Sequence, residues 1–137
     1  MIEGITATSS SVGWNGVASR VIDGNTGAGN FHTAACASTR NTPSWIKLDL
    51  NMVHHIDRME FVGRSDGCPE HSSGWNIYIG NLGSSNDQLC KSDVDVSGGS
   101  VITIECDSEV SGQYITMTSI EYMVLCEVEV YGEPGRV

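Results

Sequence analysis

The sequence predicts an all-β fold, either an antiparallel β-sandwich or a jelly roll. Three observations predict it. Several segments alternate apolar and polar residues with period two, as in residues 45–50, where Ile46, Leu48 and Leu50 alternate with Trp45, Lys47 and Asp49. The chain holds 16 glycines and 3 prolines, which suit many tight turns, and no stretch carries an apolar stripe of helical period. Functional residues are therefore expected in the end loops of a rigid scaffold.

Six segments are predicted strands, each with one face toward solvent. They are residues 45–50, 56–63, 75–80, 101–106, 114–120 and 124–131. In the third, Trp75, Ile77 and Ile79 share a face. In the last, Val124, Cys126, Val128 and Val130 oppose Glu127 and Glu129. His54 and His55 are adjacent in a predicted turn into the second strand, where consecutive side chains point to opposite faces, so they are expected at the surface rather than on one metal.

Length and charge limit the classes of partner. A chain of 137 residues is expected to form one domain, residues 1–137, with a single core. The formal net charge of −10 argues against nucleic acid and against an anionic membrane surface. No apolar run approaches the roughly 20 residues that span a bilayer, so membrane insertion is not expected. The N-terminal residues have no secretory signal pattern, which indicates either a cytosolic protein or a mature or recombinant form.

The five cysteines favour a mature or recombinant form over a cytosolic protein. Cys36, Cys68, Cys90, Cys106 and Cys126 form no CxxC pair and no zinc-finger spacing. A bridge from Cys90 to Cys106 would close a loop of about 15 residues and contribute about 3 kcal/mol. Disulfides of this kind indicate a secreted, extracellular protein, with Cys68 as the candidate unpaired thiol. The alternative is a reduced cytosolic protein with buried thiols.

The sequence lacks the common catalytic motifs. It contains no G-x-S-x-G, H-E-x-x-H, phosphate-binding loop or dinucleotide fingerprint. Glu70 and His71 could form an acid/base pair, but nothing indicates the nucleophile and pocket that an enzyme also needs. The sequence therefore predicts a binding protein rather than an enzyme.

Six segments together resemble the F-type lectin family, the fucolectins. They are VIDGN (21–25), NFHTAACAS (30–38), PSWIKLDL (43–50), GRSDGCPEH (63–71), GWNIYIGN (74–81) and LCEVEVYG (125–132). The resemblance covers nearly the whole chain. It implies a discoidin-like jelly roll that binds L-fucose between end loops and holds a structural calcium ion. It also implies two disulfides, Cys36–Cys126 and Cys90–Cys106.

The resemblance places a sugar site in the polar cluster at 64–71. Arg64 and Asp66 match the family's Arg-x-Asp, and Glu70 matches its Glu, but His71 replaces a basic residue and Gly67 replaces a cysteine. Ser38 stands where the family has a histidine. The remaining expected contacts are Phe31 against the sugar's methyl group, with His32 beside it, and Trp14 as a stacking platform. Trp14 could instead fold back on the core, and Arg64 with Asp66 could be a solvated ion pair of a turn.

The resemblance also implies the calcium ligands. Asp23 and Glu127 supply the carboxylates that calcium prefers. The other implied ligands are the backbone carbonyls of Arg20, Asn25, Ala35 and Cys126. An ordinary Asp-Gly turn with a surface glutamate is the alternative.

Three functional outcomes follow from the altered sugar motif. The site binds fucosylated glycans weakly, or it binds another glycan, or it has lost sugar binding and recognises protein. Replacing an arginine by histidine and a histidine by serine would cost about 2 to 4 kcal/mol of binding free energy. If a charged His71 donates to the ligand, binding should strengthen as the pH falls through about 6.5, where an imidazole ordinarily becomes protonated. The oligomeric state, including a homo-oligomer, stays open.

Overall fold

The computed structural model describes residues 1–14, 16–22, 36–64 and 69–135. Within them lie eight strands and two short 3-10 helices. The strands are β1 (Thr6–Ser9), β2 (Ala37–Ser38), β3 (Ser44–Gly63), β4 (Trp75–Gly80), β5 (Gln88–Val94), β6 (Val101–Ile104), β7 (Ser111–Ser119) and β8 (Val124–Pro134). The 3-10 helices are Ala18–Ile22 and Pro69–Ser72. No helix in these ranges has the length and apolar content that a bilayer crossing requires.

The strands form an antiparallel β-sandwich in which β3 belongs to both layers. The first half of β3 pairs with β1 on one side and β7 on the other, and β4 and β5 continue that layer. The second half pairs with β8 and β6, and β2 adds to β8. This arrangement confirms the predicted fold class, and it brings the loops before β3, after β3 and between β7 and β8 to one end of the sandwich.

Strand β3 corrects the prediction of two separate strands at 45–50 and 56–63. A register shift between Asp49 and His54 bends the strand, and Asn51 there has a φ of 70°. The Asn51 amide N–H donates to Asp49 Oδ1 at 2.8 Å, which fixes the bend. His54 therefore lies within a strand rather than in a turn. It is 7% exposed, and its Nδ1 lies 2.9 Å from the carbonyl oxygen of Met52, so the predicted surface position was wrong for His54.

The core lies between the two layers and contains the predicted inward faces of residues 45–50 and 75–80, together with Val128 and Val130 of β8. Val124 and Cys126, predicted to share that face, lie instead in a separate cluster with Cys36 and Val62, because a register shift between Val62 and Gly63 interrupts the pairing of β3 with β8. The largest fully buried members of the core include Trp75, Phe61, Ile46, Leu48, Ile77 and Ile79. Strand β8 departs from the prediction of one solvent face, because Leu125 is 0% and Glu127 3% exposed, so both faces of its first half are covered. A carboxylate at that depth needs compensating charge or hydrogen bonds.

Both predicted disulfides are present. Cys36 bonds to Cys126, and Cys90 bonds to Cys106. The first joins the chain just before β2 to β8, and the second joins β5 to the segment after β6. The alternative of a reduced protein with buried thiols at these four positions is thereby excluded. Cys68 lies outside the described residues.

Candidate functional site

Ser72 anchors the loop that follows β3. Its hydroxyl donates to the carbonyl of Val124 at 2.7 Å and accepts from the backbone N–H of Arg64 at 3.0 Å. Its own carbonyl accepts from the amide of Val96 at 2.8 Å. Ser72 is fully buried, so these bonds are shielded from water. One side chain thus ties the second 3-10 helix, the start of β8 and the backbone of Arg64 together.

Gly63 allows this close packing at the end of β3. A Cβ at that position would collide with the carbonyl oxygen of Val96 and would lie 3.0 Å from the Cβ of Ser72. Only glycine therefore lets β3 end against both segments. The amide of Gly98 then donates to the carbonyl of Arg64 at 3.1 Å, so the Arg64 backbone is held on both sides.

The side chain of Arg64 begins a row of polar and aromatic groups. Arg64 Nη1 lies 3.4 Å from His71 Nδ1. The His71 ring meets the Tyr122 ring edge-on at 5.8 Å between centroids, and the Tyr122 ring meets Trp14 in the same way at 5.8 Å. We call Trp14, Tyr122 and His71 the aromatic row. It runs across three loops at one end of the sandwich and ends at the guanidinium.

The row faces solvent. Trp14 is 61% exposed, which excludes the alternative that it folds back on the core, while the His71 side chain is 19% exposed. Glu70 is exposed, with Oε1 4.0 Å from His71 Nε2. Because a guanidinium only donates, the Arg64 contact assigns the acceptor role to His71 Nδ1 and leaves the proton on Nε2. Neutral His71 therefore already carries a donor.

Tyr122 was missed by the sequence reasoning. It lies in the short loop between β7 and β8, within no motif, and nothing in its neighbourhood distinguishes it from a structural tyrosine. The available signal was topological, since antiparallel order brings the loop before β8 to the same end as the loop after β3.

The Ser38 side chain is buried and is not exposed beside the aromatic row. It is 1% exposed, and its hydroxyl donates to the carbonyl of Thr39 at 3.0 Å. Its neighbour Thr39 accepts from the amide of Met123 at 2.8 Å through its hydroxyl, which holds β2 against the loop that carries Tyr122. This placement does not support the expected contact of Ser38 with a ligand, because its hydroxyl is hydrogen-bonded and shielded from solvent.

Several predicted residues lie outside the described residues. They are Phe31, His32, Asp66, Asp23, Asn25 and Ala35. The structure therefore brings together four of the predicted sugar contacts, namely Trp14, Arg64, Glu70 and His71.

Three of the predicted calcium positions are described. Cys126 and Glu127 are consecutive on β8, and Arg20 lies in the first 3-10 helix, which packs against β8. The Arg20 guanidinium donates to the carbonyl of Cys36 at 3.2 Å. Across residues 1–14, 16–22, 36–64 and 69–135, no cluster of three or more His, Cys, Asp or Glu side chains could hold a metal ion.

The arrangement of the row suits a neutral, hydroxylated ring. Arg64 and His71 Nε2 offer hydrogen-bond donors, and Glu70 offers an acceptor, which are the complements of sugar hydroxyls. Trp14 and Tyr122 supply flat apolar surface next to those groups.

Comparison with known proteins finds a matching family model, sequence relatives and similar solved structures. Residues 20–117 match the family model of NedA-like, galactose-binding domains of the F5/F8 type C group. A fucolectin of Anguilla anguilla is 32% identical over 121 residues, which are 85% of this chain and 77% of that protein. A fucolectin from the serum of the striped bass Morone saxatilis superposes with a TM-score of 0.85 and 31% identity over 94% of this chain and 45% of that one.

A bacterial protein has a similar structure over nearly its full length. A fucose binding module of Streptococcus pneumoniae superposes with a TM-score of 0.77 and 27% identity, covering 93% of this chain and 91% of that module. Three further curated relatives are longer, and this chain spans 34%, 60% and 62% of their lengths.

Proposed function

Because the chain belongs to the fucolectin family of F-type lectin domains, we propose that Arg64 and the aromatic row form a reversible binding site for fucosylated glycans. The observation that carries this proposal is the convergence of Arg64, His71, Tyr122 and Trp14 at one end of the sandwich. The fucose binding described for the pneumococcal module supports the choice of sugar.

Arg64 and the aromatic row contribute two kinds of contact to the proposed site. Arg64 and His71 Nε2 donate to ring and hydroxyl oxygens of fucose, which orients the sugar. Tyr122 and Trp14 extend away from the guanidinium and cover the apolar face of the same sugar or of the residue attached to it. Binding is the whole activity in this proposal, with no bond of the glycan made or broken.

A glycan array tests the proposal. The wild-type protein should retain fucosylated glycans, and Arg64→Ala should weaken binding about tenfold to a hundredfold, because hydrogen bonds from charged groups contribute about 1.5 to 3 kcal/mol. Arg58→Ala is the matched control, since Arg58 lies within β3, away from the loops of the site, and its guanidinium packs over the Tyr131 ring of β8, 3.9 Å from the ring centroid. A blank array, or fucosylated hits that survive Arg64→Ala, would contradict the assignment and favour a protein ligand or another surface.

We also propose that a structural calcium ion binds beside Glu127. The support is the burial of the Glu127 carboxylate next to Cys126, together with the disulfide that joins Cys126 to Cys36. Glu127 and the Cys126 carbonyl would be ligands, with Arg20, Asp23, Asn25 and Ala35 completing the oxygen set that calcium prefers. The ion would supply positive charge for a buried carboxylate and fasten β8 to the chain that precedes β2.

Thermal unfolding tests the calcium proposal. Calcium at a hundred times its dissociation constant should stabilise the wild type by about 2.7 kcal/mol and raise its Tm relative to protein in chelator. Glu127→Gln should lose this increment, whereas the exposed Glu133→Gln on the same strand should keep it. An identical Tm in calcium and in chelator for the wild type would contradict the proposal.

An extracellular location fits the same proposals. The two disulfides need an oxidising compartment, and the striped bass relative is described as a serum protein.

A further inference from the structure

Trp14 has a backbone conformation that large side chains rarely adopt. Its φ is 51°, in the left-handed region. The other described non-glycine residues with a positive φ are Asn51 and Asp93, and these two residue types tolerate it because their short polar side chains can hydrogen-bond to the local backbone. A tryptophan has no such compensation. The conformation therefore costs stability at Trp14, and a cost of this kind is typical of residues that a functional site holds in place.

A tight turn imposes this conformation on Trp14. The Gly16 N–H donates to the carbonyl of Gly13 at 2.8 Å, which closes a turn with Trp14 in its second position. A positive φ at that position is typical of the mirror-image turn types, in which glycine, asparagine and aspartate predominate. The Trp14 side chain is 61% exposed. Neither the turn nor the core therefore accounts for a tryptophan here.

The turn is packed directly against β2. The Gly13 N–H donates to the Ser38 carbonyl at 2.9 Å, and the Ser38 N–H donates to the Gly16 carbonyl at 2.9 Å. A Cβ on Gly13 would lie 2.8 Å from the Thr39 carbonyl oxygen, and one on Gly16 would lie 2.6 Å from the Ser38 nitrogen. Only glycine allows this approach on both sides of Trp14, so the turn is fixed relative to β2 before a ligand arrives.

The loop that carries Tyr122 is fixed to the same part of the fold. The Thr39 N–H donates to the Met123 carbonyl at 2.9 Å, and the Ser44 hydroxyl donates to the Glu121 carbonyl at 2.6 Å. Both neighbours of Tyr122 in sequence are thus hydrogen-bonded to buried residues. Because the tyrosine and tryptophan rings are positioned in advance, little conformational entropy is lost when a ligand binds to them.

Trp14 is the last ring of the aromatic row, counted from Arg64. The centroid distance is 5.8 Å from His71 to Tyr122 and 5.8 Å again from Tyr122 to Trp14. The Arg64 guanidinium contacts His71 at the other end, at 3.4 Å. A pyranose ring is similar in width to an aromatic ring, so a fucose held by Arg64 and His71 would cover Tyr122 and only the near edge of Trp14. Most of the exposed indole is left for a group attached to the fucose.

We propose that Trp14 selects fucose that is linked to a second sugar, and that the indole stacks on the apolar face of that second sugar. This inference rests on the proposed function, because it assigns a ligand group to the far end of the same site. The C–H groups on one face of a sugar ring pack on an aromatic ring, and tryptophan offers a large one. The strained tryptophan thus lowers stability and raises affinity, a trade-off that binding sites commonly show.

Isothermal titration calorimetry of the full chain with methyl fucoside, fucosyl-galactose and fucosyl-N-acetylglucosamine tests the proposal. At least one of the two disaccharides should bind about fivefold or more tightly than methyl fucoside. Trp14→Ala should bring this affinity ratio to about one, whereas Trp14→Phe, which keeps a smaller ring, should retain part of it. Leu82→Ala is the matched control and should keep the ratio, because it removes an exposed apolar side chain from the loop after β4, at the opposite end of the sandwich.

Thermal unfolding distinguishes a strained binding residue from a structural tryptophan. Trp14→Gly and Trp14→Ala both remove the indole, but only glycine adopts a positive φ without steric cost. Trp14→Gly should therefore have a Tm about 2 to 4 °C above that of Trp14→Ala, the reverse of the order at a turn position without this constraint. A higher Tm for Trp14→Ala would show that Trp14 is not strained and would overturn the proposal.

The binding results separate this proposal from the fucose site on which it rests. Arg64→Ala should weaken the binding of methyl fucoside and of the disaccharides alike, and so keep the affinity ratio. Equal affinities of the wild type for methyl fucoside and both disaccharides, or a ratio that survives Trp14→Ala, would overturn the role of Trp14 and leave the fucose site intact. Absence of binding to all three ligands would refute the fucose site, and this proposal with it.

Discussion

The substitution Ser72→Ala should both destabilise the fold and weaken glycan binding. Ser72 is fully buried, and its hydroxyl serves two backbone groups at once, the Val124 carbonyl at 2.7 Å and the Arg64 N–H at 3.0 Å. Alanine removes the hydroxyl and adds nothing that could replace either bond. Water has little access to Val124, which is 2% exposed.

The magnitude follows from these two bonds. Leaving a buried donor or acceptor without its partner costs about 1 to 3 kcal/mol, and Arg64 is only partly buried, so the sum should be about 2 to 4 kcal/mol. For a domain of this size a loss of 1 kcal/mol lowers the Tm by about 4 °C, so the Tm should fall by about 8 to 16 °C. The Arg64 backbone loses one of the two hydrogen bonds that hold it. The affinity for fucosylated glycans should therefore be lower even at temperatures at which the variant is folded.

Thermal unfolding followed by circular dichroism measures the loss of stability, and glycan binding at about 20 °C measures the loss of affinity. Ser100→Ala is the matched control, because Ser100 is exposed and its hydroxyl makes no hydrogen bond within the described residues. A Ser72→Ala Tm within 2 °C of that control would refute the reasoning, since it would mean that the two bonds are replaced or contribute nothing.

Two further predictions concern the disulfides and the pH dependence. Replacing Cys36 and Cys126 by serine should cost about 4.6 kcal/mol, against about 3 kcal/mol for Cys90 and Cys106, because their sequence separations are 90 and 16. Denaturant unfolding of the two double variants checks this order, which a greater loss for the shorter loop would contradict. Hydrogen bonds from the Ser97 hydroxyl and amide lower the pKa of Asp95, so its carboxylate stabilises the fold at neutral pH, and this contribution is lost as the pH falls through its lowered pKa. Asp95→Asn should therefore have a lower Tm than the wild type at pH 7 and the same Tm as the wild type in strong acid. If the two proteins had the same Tm at both pH values, the ionised Asp95 carboxylate would not stabilise the fold.

The fold was predictable where strands alternate regularly. The buried faces of residues 45–50 and 75–80 follow from their period-two pattern, and both were found as predicted. Strand β5 was missed because two register shifts against β4 break its alternation, which leaves Cys90 and Val94 as its only buried residues. Strands β1 and β2, with four and two residues, are too short to show a period.

The site was predictable only in part. Arg64 and His71 were found because they belong to a motif that is continuous in sequence, and Trp14 because it is an aromatic residue in a polar loop. Tyr122 joins the row through tertiary packing, since it is 51 residues away from His71 in sequence and lies near it only because β8 runs beside β3. The burial of Glu127 likewise depends on which elements cover β8, which its alternating neighbours could not reveal.

The most direct test of the central claim is a titration of the ¹⁵N-labelled protein with L-fucose, followed by amide and indole shifts. The account predicts saturable shifts at the amides of Arg64, His71 and Tyr122 and at the indole N–H of Trp14, with the fully buried Trp75 indole unchanged. Shifts confined to another surface, or no shifts at fucose concentrations that saturate a weak lectin, would show that the end of the sandwich bearing Arg64 and the aromatic row is not the binding site.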